Sequence, residues 1–205
     1  MTAQSVKNPP HRRDASASSP SPADVSARTG SGLRSPWLLL GAAVLVAAIV
    51  AAVVFVVAGS EDRGASAGGP RIVSAEGLRT FAASRPLYWA GTVPGTTIEL
   101  SEAARGRVFV RYLSGGAQPG DRRPAFTTVA TYPSPRAYQE TARAGRLEGA
   151  TRRPAPGGGL AVWRRNRPTS VYLAFPGDDV LIEVYDPNAE RARGLVLDGE
   201  VGPVR

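Results

Sequence analysis

The stretch TSVYLAFPGDDVLIEVYDPNAERAR, residues 169–193, predicts two β-strands joined by a tight turn and followed by a helix. SVYLAF and VLIEVY are short runs rich in β-branched and aromatic residues, which predicts strands. Pro176-Gly177 is a pair that a type II turn favours, and Asp186-Pro187 fits the cap and first-turn proline of a helix. The residues that we expect in the core are Val171, Leu173, Phe175, Val180, Ile182 and Val184.

A similar order of elements occurs some sixty residues earlier. RVFVRYL (107–113) and FTTVATY (126–132) predict strands, and Ser134-Pro135 predicts the start of a helix that runs to about Leu147. The aromatic residues of the two stretches correspond at offsets of 63 and 53: Phe109 with Tyr172, Tyr112 with Phe175, and Tyr132 with Tyr185. We interpret the pattern as an internal duplication. Two unrelated hairpins of strand-rich composition are the alternative.

The remaining segments complete a predicted α+β domain. A helix is expected near Ser74–Ser84, capped by Ser74, and LYWAG, TIELSE and LAVWR read as further strands. Glu99 alternates with Ile98 and Leu100, which predicts a solvated sheet face. The expected fold is a small antiparallel-sheet ectodomain with two or three short helices on one face, carried on a single transmembrane helix.

The membrane segment is WLLLGAAVLVAAIVAAVVFVVA, Trp37 to Ala58, without a charge, amide or hydroxyl. As a helix it would span roughly 33 Å, enough to cross a hydrocarbon core of about 30 Å. A cleaved signal peptide and a buried core helix are the alternatives. We expect a disordered cytoplasmic tail (1–35), a transmembrane helix (36–58), a flexible linker (59–70) and an extracytoplasmic domain (71–205).

Flanking charge sets the expected orientation. Five cations precede the span, whereas Arg63 is the one cation in the dozen residues after it, beside Glu61 and Asp62. The positive-inside rule then places the amino terminus in the cytoplasm and the domain outside the plasma membrane. The lipid bilayer is therefore an expected partner of residues 37–58, and nucleic acid is not expected as a partner.

The residue types exclude several chemistries. The chain has no cysteine, and its one histidine, His11, lies in the predicted tail. Thiolate sites, a serine-histidine-aspartate triad and histidine metal sites are therefore excluded from the domain, and we predict no cofactor and no metal. Carboxylates such as Glu99, Glu183 and Asp178-Asp179 remain as candidates for general acid-base catalysis. A glycosidase would need two of them roughly 5–10 Å apart across a cleft.

Arginine-rich loops are the candidate binding site. Guanidinium groups bind phosphate and carboxylate in two-pronged fashion, so a cluster beside an aromatic ring suits an anionic polymer, headgroup or sugar acid. The alternative is a solvated hairpin tip. Gly157–Gly159 lies between these arginines and is expected to be a turn, because no Gly-Lys-Ser/Thr follows it. The candidate residues are Arg152, Arg153, Trp163, Arg164, Arg165 and Arg167.

The segments LYWAG, FVRYL, VATYP, GGGLAVW, RPTSVYLAFPG and EVYDP resemble a group of single-pass membrane proteins of high-GC actinobacteria. The resemblance covers roughly residues 75–200. It implies an envelope location and a shared domain, but no activity and no functional residues. The function that we expect is a membrane-anchored extracytoplasmic module that binds an anionic envelope polymer or another membrane protein. A carboxylate-dependent envelope hydrolase and a signalling ectodomain are the alternatives.

Overall fold

The computed structural model describes residues 68–205. The predicted tail, the transmembrane helix and residues 59–67 of the linker lie outside the described residues. Within residues 68–205, no helix has both the length and the apolar character needed to cross a membrane. The described part is an α+β fold with a large antiparallel sheet and three helices, in agreement with the predicted class.

The sheet contains eight strands, and two further strands pair separately. The strands are β1 Arg71–Val73, β2 Tyr88–Trp89, β3 Thr97–Ala103, β4 Arg107–Leu113, β5 Thr128–Pro133, β6 Ala150–Ala155, β7 Gly159–Arg164, β8 Arg167–Ala174, β9 Val180–Tyr185 and β10 Gly202–Pro203. Along the large sheet the order is β1-β3-β4-β5-β9-β8-β7-β6, and each neighbouring pair is antiparallel; β2 pairs with β10.

The helices are α1 Ala75–Ala82, α2 Ala137–Ala144 and α3 Ala189–Leu197. The larger core packs α1, α3 and the β2-β10 pair against one face of the sheet, which we call the α1/α3 face. A smaller core lies under α2 on the opposite face, the α2 face. The expectation that the helices share one face is therefore wrong. The reason is that both faces carry large apolar side chains that need cover.

The opening stretch folds as its pattern predicts. β9 covers VLIEVY from end to end, and the amide of Asp178 donates to the carbonyl of Phe175 across Pro176-Gly177, where Gly177 has φ +86°. That positive φ is the reason for a glycine at the third turn position. Five of the six expected core residues are buried, and Phe175 is half-buried.

Several local predictions are corrected. Ser74 caps α1 as expected, but α3 is capped by Asn188, whose side chain accepts from the amides of Glu190 and Arg191. Asp186 is occupied elsewhere, because it accepts from the hydroxyl of Thr127 at 2.5 Å and from the amide of Asn188 at 2.8 Å. α2 begins later than expected and has no side-chain cap. The strands β1, β6 and β10 were not predicted, since none has an alternating apolar pattern.

Candidate functional site

Positive charge is concentrated in one part of the domain. Residues 141–177 contain seven arginines and a single acid, Glu148, whereas the rest of residues 71–205 contains twelve arginines and twelve acids. The net charge of +6 therefore belongs to the segment that forms the end of α2 and strands β6 to β8. We call six of these residues the basic edge: Arg143, Arg146, Arg152, Arg153, Arg164 and Arg165.

The basic edge lies along the outermost strand. β6 is at the end of the eight-stranded sheet and pairs on one side with β7. The register sets Arg152 opposite Val162, on the α2 face, and Arg153 opposite Ala161, on the α1/α3 face. Because successive side chains of a strand point to opposite faces, the two guanidinium groups extend around both sides of the edge.

Close packing at Gly145 brings the end of α2 against this strand. A Cβ at position 145 would lie 3.0 Å from Val162 Cγ2 and 3.2 Å from the Cβ and Cδ atoms of Arg152. The absence of a side chain at Gly145 thus permits the approach. It places the chain that bears Arg143 and Arg146 beside β6.

Arg164 and Arg165 contribute from the turn between β7 and β8. They line an open depression with Leu147, Glu148, Gly149 and Asn166. The guanidinium of Arg164 donates to the carbonyl of Glu148 at 3.3 Å, and the amide of Arg165 donates to the carbonyl of Gly149 at 2.8 Å. These bonds hold the turn against the segment after α2, so all six arginines belong to one end of the sheet.

The arginines of the basic edge are not neutralised within residues 68–205. None of the six makes an ion pair there, and five are exposed while Arg164 is half-buried. At the opposite end of the sheet, in contrast, Arg71 and Arg85 both pair with Glu102. The uncompensated guanidinium groups are therefore available to an external anion.

The structure separates the other two candidates from this cluster. Trp163 is half-buried in the larger core, and the guanidinium carbon of Arg193 lies 5.9 Å from its ring centroid. Arg167 begins β8, and its charge acts on Glu183, Tyr172 and Tyr185. Arg143 and Arg146 were missed from the sequence. The sequence feature that could have identified them is the near absence of acidic residues between Glu140 and Asp178.

The α2 face carries a second set of polar groups. Glu99 is buried, not solvated as its alternation with apolar neighbours predicted. Its Oε1 lies 2.8 Å from Arg111 Nη1, and its Oε2 accepts from the amide of Gly120 at 2.6 Å. The loop of residues 114–127 covers this pair, with Arg111 stacked over Phe126 at 5.3 Å. The strand pattern alone could not reveal that a loop closes over this face.

Glu183 is the other buried carboxyl of the α2 face. It lies opposite Ala130 on β5 and Tyr172 on β8, and the hydroxyl of Tyr132 donates to its Oε2 at 2.9 Å. Ser170 and Tyr172 lie near the carboxyl without completing well-formed hydrogen bonds. Burial raises the pKa of Glu183, and the hydroxyls of Ser170 and Tyr132 and the charge of Arg167 oppose that effect.

The other polar candidates serve the fold. Tyr88 is buried and stacked on Phe175 at 5.8 Å, and its hydroxyl donates to Asp178 Oδ2 at 2.6 Å. Trp89 packs partly buried against the same core. Gly157 and Gly158 lie in the turn between β6 and β7 with φ near +71° and +78°. Tyr88 and Trp89 thus belong to the core, Gly157 and Gly158 form the expected turn, and Gly159 begins β7.

Among residues 68–205, no cluster of three or more histidine, cysteine or acidic residues is arranged to hold a metal ion. No protein-family model, curated protein or solved structure matches the chain. The chemistry of the site is therefore interpreted from its own residues.

Proposed function

We propose that this protein is a membrane-anchored extracytoplasmic module of the bacterial cell envelope that binds an anionic polymer through its basic edge. One observation carries the proposal: the whole net charge of the domain lies in residues 141–177, and the six arginines of the basic edge within this segment make no ion pair with the described residues, five of them being exposed. A solvated surface of average character would intersperse charges of both signs.

A repeating anion fits the basic edge better than a single small one. Arg152 and Arg153 extend to opposite faces of β6, and Arg164 and Arg165 lie at the neighbouring turn. One small anion cannot reach all of these groups, whereas a chain of phosphates or carboxylates can contact several in turn. Each contact would be a charge-assisted hydrogen bond of the two-pronged kind that guanidinium groups form.

The position of the tether favours a polymer over the headgroups of the anchoring bilayer. The proposed linker enters at the opposite end of the sheet, where the carbonyl of Gly68 accepts from the amide of Glu102 next to β1. Seven strand spacings of about 4.8 Å separate β1 from β6, so roughly 30 Å lies between the tethered edge and the basic edge. An anchored domain can thus present its arginines away from the membrane.

We also propose that an ancestral half-domain was duplicated to form the sheet. Under the offsets of 63 and 53, the pairs Val108↔Thr131 and Val110↔Val129 correspond to Val171↔Val184 and Leu173↔Ile182. The same offset of 53 equates Ala130 with Glu183, which pair with each other across β5 and β9. An approximate two-fold axis between the central strands would account for both coincidences.

A carboxylate-dependent hydrolase would need two carboxyl groups in one cleft. The α2 face has a narrow cleft, and among the described residues one acidic side chain, Glu183, lines it. Glu99 lies on the same face but is held in its ion pair with Arg111. The paired carboxyls of a glycosidase must instead both face the bound substrate.

The proposal is tested by retention of the full chain, in detergent micelles, on an immobilised poly(glycerol phosphate) matrix at increasing salt. The variant Arg146→Gln, Arg152→Gln, Arg165→Gln should bind about tenfold more weakly, since three exposed pairs at about 0.5 kcal/mol each contribute about 1.5 kcal/mol. Binding by the unaltered chain should also weaken as salt rises.

The matched control replaces three arginines outside the basic edge: Arg79→Gln, Arg105→Gln, Arg136→Gln. It removes the same net charge, so a general electrostatic attraction would weaken equally in both variants. Retention of the control near the unaltered level supports a defined face. Equal losses in the two variants, or retention that does not depend on salt, would contradict the proposal.

A further inference from the structure

A narrow cleft on the α2 face lies away from the basic edge. Its floor is formed by Phe109, Ala130 and Glu183, and the segment 122–126 and Tyr185 form its wall. We call it the Glu183 cleft. The enclosed space is about 30 Å³, which exceeds what one water molecule requires but does not admit a ring. The cleft therefore has room for a single substituent of a larger molecule.

The floor of this cleft contains a carboxyl whose hydrogen bonding is incomplete. Glu183 is 1% exposed, and among residues 68–205 its Oε1 has no well-formed hydrogen bond, although the buried hydroxyls of Ser170 and Tyr172 on the adjacent strand lie near the carboxyl. A buried polar group without a partner destabilises a fold, and such groups usually serve a water, an ion or a ligand. The carboxyl is also neutral over a wider range than usual, because burial raises its pKa. A neutral carboxyl can both donate and accept.

The mouth of the cleft is cationic and partly apolar. Arg122 is exposed and makes no ion pair with the described residues, whereas its neighbour Arg123 is held by Asp121 at 2.6 Å. Tyr185 closes one side, with its hydroxyl donating to the carbonyl of Pro124 at 2.8 Å. A ligand that enters here therefore meets a flat apolar wall, a guanidinium group outside and a carboxyl within.

We propose that the Glu183 cleft is a subsite for an acidic sugar unit. One hydroxyl of the sugar enters the cleft and pairs with Glu183, the ring rests against Pro124 and Tyr185, and the carboxylate or phosphate contacts Arg122. A sugar ring supplies both hydrogen-bonding hydroxyls and an apolar face, and these match the floor and the wall. The unit is either a free monosaccharide or one residue of a glycan, since both present the same groups.

The test is carried out on the full chain in detergent micelles with ¹³C-labelled alanine methyl groups, because the methyl of Ala130 lies in the floor. D-glucuronate should cause a saturable shift of the Ala130 signal in the millimolar range, and D-glucose should bind about tenfold more weakly without its anionic group. An oligomer of β-1,4-linked glucuronate forms the third titration. A tighter response to the oligomer than to the monomer assigns the site to a glycan, and the reverse assigns it to a free sugar.

Two variants connect the shift to the proposed contacts. Glu183→Leu removes both carboxyl oxygens from the floor at similar side-chain volume, and Arg122→Gln alters an exposed residue, so the second variant stays informative if the first does not fold. Both should weaken glucuronate binding at least about fivefold, whereas the control Arg136→Gln should leave it unchanged. Absence of a saturable shift with all three sugars would overturn the proposal, and so would unchanged binding in Arg122→Gln. Because the basic-edge variant retains this site, a failure here is distinct from a failure of polymer binding.

Discussion

At the scale of single residues, Glu99 and Glu183 are two carboxyl groups that the fold buries on the α2 face. Val171, Ile182 and Val184 follow directly from alternation and are fully buried. Glu99 and Glu183 occupy strand positions that alternation assigns to solvent, yet both are 1% exposed. The difference arises because the 114–127 loop and α2 cover the second face, and a strand's own pattern carries no information about such cover.

Glu183 should make stability depend on pH in a defined direction. Its folded pKa is raised above the ordinary 4.5. The stabilising contribution is therefore complete below the unfolded pKa and is lost as pH rises through the folded pKa, with a slope of at most about 1.4 kcal/mol per pH unit. Thermal unfolding of the full chain and of Glu183→Gln, followed by near-ultraviolet circular dichroism, measures the difference. A gap between the two proteins that stays constant with pH would show that Glu183 titrates normally.

The Glu99–Arg111 pair should be important for stability, in contrast to an exposed ion pair. Glu99→Leu leaves the Arg111 guanidinium buried without its anion and should lower the free energy of unfolding by about 3 kcal/mol or more. The double variant Glu99→Leu, Arg111→Leu should recover part of that loss. Chemical denaturation of the four proteins in this cycle measures the coupling. A loss below about 0.5 kcal/mol for Glu99→Leu would instead match the solvated position that alternation suggested.

At the scale of elements, strands with strong alternation were predictable and their partners were not. β4 and β9 have the bounds that their patterns indicate. β6, with the sequence ATRRPA, carries no such pattern and forms through its pairing with β7. The position of α2 could not be predicted from the sequence either, because it depends on the close packing of Gly145, which follows α2, against Val162 on β7.

The cap of α3 allows a direct comparison between two substitutions of the same residue, Asn188. Asn188→Ala removes the acceptor for the amides of Glu190 and Arg191 and should destabilise the domain by about 1 kcal/mol. Asn188→Gly should lower the free energy of unfolding by only about a few tenths of a kcal/mol, because glycine is tolerated at the N-cap position. Thermal unfolding of both variants measures the effect. An Asn188→Ala variant that is as stable as the unaltered chain would mean that the side chain does not act as the cap.

The composition of β6 should keep this edge from pairing with a second molecule. Arginine and proline on an edge strand oppose strand addition, through repulsion and through the missing amide of Pro154. The variant Arg152→Val, Pro154→Val should therefore form dimers or larger species in light scattering at low salt. Arg136→Val is the control, since Arg136 lies before α2 and away from the edge. A variant that stays monomeric would mean that another feature protects β6.

At the scale of the whole molecule, the distribution of charge connects the fold to the proposed function. Composition alone indicated a basic domain, and the sheet order then placed the excess arginines about as far as the sheet allows from β1, the strand that follows the proposed linker. Local sequence grouped Arg167 and Trp163 with the other candidates because they are adjacent in the chain. In the structure Trp163 and Arg167 interact with other groups, and the cluster gains Arg143 from α2 and Arg146 from the segment after it.

Hydroxyl-radical footprinting of the full chain in micelles, with and without poly(glycerol phosphate), tests the central claim most directly. The described residues include two exposed large aliphatic side chains, each 44% exposed: Leu147 in the depression beside Arg164 and Arg165, and Ile72 on β1 at the opposite end of the sheet. Binding at the basic edge predicts that the polymer protects Leu147 from oxidation and leaves Ile72 unchanged. Equal protection at both residues, or protection of Ile72 alone, would contradict the assignment of the basic edge as the binding face.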